Sequence, residues 1–290
     1  MLRFIPLAIL LGASVTLSHA SLIAFSASGA NATDIQATVD SFRAGLGALN
    51  PNVAGSFGTG RREINWDGVP DALSAPNNLP ANFFNVNSPR GVVFSTPGTG
   101  FQVGATAASG TPVEFGNINA LYPSLFETFS AQRLFTALGS NVVDVNFFIP
   151  GTTTPAFTTG FGAVFSDLDL ANTTSIQFFN LANVSIGTLF APSATGNETL
   201  SFVGGLFNAG EQVGHVRITS GNSALGPNES LPATDLVVMD DFIYAEPRAI
   251  AAVPEPASLG LLLLGVLLIS GFTRSSAQHV SFRRAVRPRQ

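Results

Sequence analysis

From about residue 91 onward the chain is a succession of short apolar runs, each cut off within five to ten residues by Gly, Pro or Asn. Runs of that length, rich in Val, Ile, Phe and Thr and bounded by turn residues, read as strands and leave little room for helices. They predict strands at 91–95, 101–105, 141–149, 161–165, 175–179, 184–189, 199–203, 213–219 and 236–245. In Val143-Asp144-Val145-Asn146-Phe147-Phe148-Ile149 every odd position is apolar, while Asp144 and Asn146 fall on the opposite face. One side of such a strand meets a core and the other meets water. About nine strands of this kind in one domain predict an all-β fold, an antiparallel two-sheet β-sandwich of jelly-roll type. The 25 phenylalanines suit a core between two sheets. No fixed repeat is visible, which argues against a propeller or a β-helix.

Before the strands, Ile35, Val39, Phe42, Leu46 and Leu49 recur at spacings of four, three, four and three. That is one face of an amphipathic helix, with Thr33-x-x-Gln36 as its capping box and Asn50-Pro51 as its stop.

Two apolar segments flank the domain. Met1-Leu2-Arg3 is a short positive start, 4–17 is apolar, and Ser18-His19-Ala20 offers small residues to a signal peptidase, so 1–20 reads as a signal peptide cleaved after Ala20. Near the other end, eighteen uncharged residues lie between Glu255 and Arg274. As a helix they span roughly 27 Å, close to the ~30 Å of a bilayer's hydrocarbon core. Arg274, Arg283, Arg284, Arg287 and Arg289 follow with no acid among them, which holds that end in the cytoplasm and leaves the domain outside.

Val253-Pro254-Glu255-Pro256, the apolar helix at 257–273 and the basic tail at 274–290 together resemble the PEP-CTERM protein-sorting signal. The resemblance implies an exported bacterial protein, and with the readings above the chain divides into three parts: the signal peptide, a β-sandwich domain at 21–248, and a sorting segment at 249–290. It further implies signal peptidase and an exosortase as partners during export. The chain would be held first in the inner membrane through its C-terminal helix, then reach the cell surface or the extracellular polysaccharide matrix. One departure is that most of the arginines follow a spacer, 275–282, instead of abutting the helix.

Composition narrows what the exported domain can do there. The chain has no cysteine and no lysine, and removal of both targeting segments leaves His215 as the sole histidine. Disulfide frameworks, thiol nucleophiles, Schiff-base chemistry and the usual zinc sites are excluded, and a serine triad would have to be built on a histidine in a predicted strand. Between residues 21 and 253, seven arginines face seventeen acids, a balance of −10, so nucleic acid is not an expected partner.

Three constellations remain. Trp66, with Arg62, Glu63 and Asp67 beside it in 60–71, is a candidate sugar platform, because an aromatic face with planar hydrogen-bonding groups suits a pyranose. The same Trp can instead cover one end of the core while Arg61 or Arg62 pairs with Glu63 or Asp67. That segment resembles one found near the N-terminus of many PEP-CTERM proteins. Asp167 and Asp169, at the end of a predicted strand, and Asp240 with Asp241 are candidate calcium ligands, since carboxylates and loop carbonyls can make its oxygen shell. The strand that carries the second pair resembles the closing strand of jelly-roll carbohydrate-binding modules, in which an adjacent Asp holds structural calcium. The bland alternative is solvated strand ends, or partners for Arg217 and Arg248. Paired carboxylates also serve glycosidases, at a separation that only a structure supplies. The expected function is non-enzymatic, a structural or adhesive protein of the surface or matrix. A calcium-dependent glycan-binding module is the alternative, and a carboxylate-based glycosidase ranks below it.

Overall fold

Alternation decides which face of strands such as 142–147 meets the core, and the sandwich follows from it. The structure, a computed structural model, describes residues 21–227 and 234–250. The expected signal peptide, Val253-Pro254-Glu255-Pro256 and the expected transmembrane helix lie outside these residues. Among the described residues no helix is long and apolar enough to cross a membrane.

In chain order the elements are β1 (Leu22–Gly29), α1 (Ala32–Leu46), β2 (Arg61–Ile64), a one-turn helix α2 (Phe83–Val86), β3 (Val92–Ser95), β4 (Gly100–Val103), β5 (Phe135–Leu138), β6 (Val142–Phe147) and β7 (Ala156–Phe157). Then come β8 (Gly160–Ser166), β9 (Ser175–Asn180), β10 (Ser185–Phe190), β11 (Leu200–Phe207), β12 (Val213–Thr219), β13 (Val238–Ala245) and β14 (Arg248–Ala249). One sheet runs β1-β11-β8-β13-β5-β4, with β2 also paired to β13, and the other runs β10-β9-β12-β6-β3. The strand pairs are antiparallel. All nine predicted strands are present. β1, β2, β5, β7 and β14 are additions to them.

Val143, Val145 and Phe147 point inward as their alternation requires, meeting Phe161, Phe165, Phe242 and Tyr244 of the facing sheet in the main core. The larger sheet is covered on its outer face too. Ile35, Val39, Phe42 and Leu46 of α1 pack on Val164, Leu200, Phe202 and Ile243. Gly162 and Gly204 let the helix approach: a Cβ on Gly162 would lie 2.9 Å from the Phe42 ring, and one on Gly204 3.1 Å from it. The helix is where the periodicity places it, but its cap differs. Asn31 accepts the Thr33 N–H, and Asp34 reaches back to the Asn31 N–H, so the box begins two residues earlier than Thr33-x-x-Gln36. Its end is Gly47, at φ 97°, ahead of the expected Asn50-Pro51.

Candidate functional site

Two consecutive acids interrupt an otherwise apolar strand, and β13 accommodates them with a bulge. Met239 pairs with Phe165 and Phe242 with Ala163, so Asp240 and Asp241 both stand opposite the single residue between them, Val164. The extra residue turns both carboxylates to the outer face, where Ser130 Oγ lies 3.3 Å from Asp240 and 2.7 Å from Asp241. Asp240 Oδ2 also accepts the Phe129 N–H at 2.6 Å and the Ser130 N–H at 3.1 Å. The bulge therefore anchors the loop that leads into β5.

Around Asp241 lies a polar cleft of about 320 Å³, lined by Arg43, Asn52, Glu63, Asn65, Arg90 and Ser130 among others. β2 turns Glu63 toward it, α1 brings Arg43, and one nitrogen of that guanidinium donates to Glu63 at 3.0 Å and to Asp241 at 3.1 Å. Arg61 closes the network on Glu63 at 2.6 Å. Burial pushes both bulge carboxyls up, Asp240 well above the usual range under the added charge of Asp241, and Asp241 to about 6. Burial and mutual repulsion both favour the protonated form of the pair. Burial by itself lowers Arg43, and its bonds to Glu63 and the charges of Glu63 and Asp241 more than reverse this.

This geometry bears on glycoside hydrolysis. Glu63 and Asp241 touch the same nitrogen, so those two carboxylate oxygens are at most about 6 Å apart, near the separation of a retaining pair. The guanidinium occupies the gap that a glycosidic oxygen would need.

The platform expected at Arg62, Trp66 and Asp67 is not formed. Trp66 is 1% exposed and sits in the main core, stacked on Phe135 at 4.1 Å with Phe84 and Phe242 edge-on. Its indole N–H donates to the Asp240 carbonyl at 2.8 Å, supplying a partner at the bulge. No ring face is left for a sugar. Arg62 is fully buried on the inner side of β2, paired with Glu246 at 2.7 Å. Asp67 holds the chain at β5, accepting the N–H groups of Gln132 (2.7 Å) and Arg133 (3.2 Å). The alternative stated for this segment is the arrangement found, with the refinement that Arg61 takes Glu63 and Arg62 takes Glu246.

The four aspartates do not converge. Among the described residues no three acids or histidines are placed to share a metal ion. Asp240 and Asp241 spend their oxygens on Ser130, backbone N–H groups and Arg43; the arginines named as their alternative partners lie elsewhere, Arg217 on Asp144 (2.7 Å) and Arg248 over the Phe157 ring (4.9 Å). Asp167 and Asp169 do not share the face of a strand, because β8 ends at Ser166 and Asp167 turns to φ 65°. His215 lies flat against Phe179 at 4.4 Å on the outer face of the smaller sheet, its pKa lowered by burial.

Sequence reasoning missed Arg43, Arg90 and Ser130 as members of a site, and placed Glu63 beside Trp66 where the structure pairs it with Arg43 and Arg61. Local signals existed for Arg43, which lies in the last turn of the predicted helix, and for Glu63, which with Arg61 flanks Arg62. Compared with protein-family models, with curated proteins and with solved structures, the chain matches none.

Proposed function

We propose that this chain is an exported, non-enzymatic protein of the cell surface or extracellular polysaccharide matrix, sorted by an exosortase and anchored transiently by its C-terminal helix. The sorting resemblance of 253–290 supports the location. The observation that carries the non-enzymatic reading is how the domain uses its cations. Each of its seven arginines is engaged by a carboxylate, a carbonyl or a ring of the same domain. Groups that a catalyst would aim at a substrate are thus employed in holding the fold. The interleaved strand order supports the jelly-roll description of the sandwich.

Expressed in an exosortase-bearing host, the surface material is expected to have lost both ends, with cleavage after Ala20 and close to Pro254-Glu255-Pro256. Intact-mass analysis reads this directly, and recovery of only the full-length membrane-bound chain would overturn the sorting reading.

Glycan binding is a second reading, and the cleft favours it. Two amides, Asn52 and Asn65, stand beside two carboxylates and two guanidinium groups, a mixture of donors and acceptors that matches sugar hydroxyls. On an array of matrix glycans, specific binding is expected to be lost in Asn65→Ala with the melting temperature unchanged. Absence of any specific binding on the array would remove this reading and leave the structural role.

A further inference from the structure

Beyond the end of β8 the fold gathers six carboxylates that no arginine neutralises. Backbone contacts draw their loops together. Glu127 N–H donates to Ser166 Oγ at 2.8 Å, Glu198 N–H to the Leu125 carbonyl at 2.7 Å, and Asp167 N–H to the Thr199 carbonyl at 2.9 Å. Asp169 N–H donates to Asp235 Oδ1 at 3.0 Å, and Asp169 Oδ1 accepts the Gly196 N–H at 3.2 Å. Glu114 belongs to the same field, since burial followed by the charges of Glu127 and Glu198 lifts its carboxyl to about 7. Ion pairs among the described residues use Asp40, Glu63, Asp71, Asp144, Asp241 and Glu246, and none uses these six.

A group of acids is by itself only a solvated patch. Here one member is different. Asp167 is 5% exposed, and its Oδ1, wholly buried, has no hydrogen-bond partner. Thr199 Oγ1, on the residue that Asp167 bonds through the backbone, is also buried and unpartnered. Buried carboxylate oxygens are nearly always satisfied, because leaving one bare forfeits the hydration it had in the unfolded chain. The charges of Asp169, Asp235 and Glu198 add repulsion at that atom. A cation relieves both penalties at once.

We propose that this end of β8 binds a calcium ion, with Asp167 Oδ1 as the buried ligand and the exposed carboxylates of Glu198 and Asp169 turning onto it. The donor set is oxygen alone, with no imidazole or thiolate to favour zinc. The loops are irregular, which suits the variable shell of calcium better than the strict octahedron of magnesium. Asp235 acts as a positioning residue, holding the Asp169 N–H on one oxygen and the Thr173 hydroxyl on the other. No three of the carboxylates converge beforehand, so loop carbonyls and water complete the shell, and the ion ties the 196–199 and 166–169 segments together. This inference is independent of the cleft and of the surface-protein reading.

The test is thermal unfolding of the full chain in detergent, in EDTA and then in calcium, with magnesium and matched sodium chloride alongside and a calorimetric calcium titration. Calcium about a hundredfold above its Kd is expected to raise the melting temperature by roughly 5 °C or more, reversibly in chelator. Asp167→Asn, which suits the left-handed backbone there, should raise the melting temperature in EDTA and abolish the calcium response. Should that variant fail to fold, the exposed Glu198→Gln is expected to weaken calcium affinity several-fold. Equal melting in calcium and EDTA, an equal response to magnesium or sodium, or a full calcium response in Asp167→Asn or Glu198→Gln would each overturn the proposal.

Discussion

Arg62→Ala is expected to destabilise the domain by about 3–5 kcal/mol, enough to take much of the stability of an ordinary domain. The cause is the partner left behind. Arg62 and Glu246 are both completely buried, and the guanidinium meets both carboxylate oxygens, at 2.7 Å through Nε and 2.9 Å through Nη2. Its remaining donors go to the carbonyls of Pro51 (2.6 Å), Gly55 (3.1 Å) and Pro89 (3.0 Å). One side chain therefore pins the 51–55 loop and the approach to β3 against the end of the sandwich. Truncation strands a buried carboxylate and several carbonyls together. Arg62→Lys should rescue little, since an ammonium has three donors and no fork. Glu246→Ala should cost a similar amount, and a double replacement by apolar residues should cost less than the two single losses combined, because no charge is then stranded. Denaturant unfolding measures all four. A loss under about 1 kcal/mol for Arg62→Ala would mean that water reaches this pair.

Nine of the strands from residue 91 on were legible because their signal is local: short runs of Val, Ile, Phe and Thr between turn residues, with alternation two apart in β6. The same holds for α1, whose apolar positions recur within two turns. β2 was not legible: burial alternates along Arg61-Arg62-Glu63-Ile64, but the residue types do not. Reading it as a strand means accepting Arg62 as an interior residue, and what makes that tolerable is Glu246, 184 residues downstream. Trp66 is a similar case, since the groups that cover it come from β5, β13 and α2. β5 itself, Phe135-Thr136-Ala137-Leu138, is nearly buried throughout and has no polar face to announce its period. The adjacent aspartates of β13 did carry a local signal: two polar residues in succession within a buried strand break the period of two, and a bulge is the structure that absorbs this. That signal places both carboxylates on one face, but not Arg43 and Ser130 in front of them.

In chelator, the domain should melt at a higher temperature at pH 5.5 than at pH 8.5, by roughly 5–10 °C for a chain of this size. Asp167 is lifted to about 7 by burial, with Asp169, Asp235 and Glu198 adding to it, and Asp241 to about 6, mainly by burial, with Ser130 and Arg43 opposing. Asp240 is raised well above the usual carboxylate range by burial and the Asp241 charge. The half-buried Glu114, at about 7, contributes a smaller share because water screens it. In each case the folded chain binds the proton more tightly than the unfolded one, whose carboxyls ionise near pH 4. Protonation is then complete in both states below pH 4, and stability falls as the pH rises from there through the folded values near 6 and 7. His215 acts in the opposite sense. Its lowered pKa means that the unfolded chain takes up the proton first, which costs stability below about pH 6.5, but it is one half-exposed group against several acids. Asp167→Asn should flatten the slope between about pH 4 and 7 and leave the slope above about pH 8 unchanged. A melting temperature that is flat, or that rises toward pH 8.5, would show that water or rearranged loops already solvate these carboxyls.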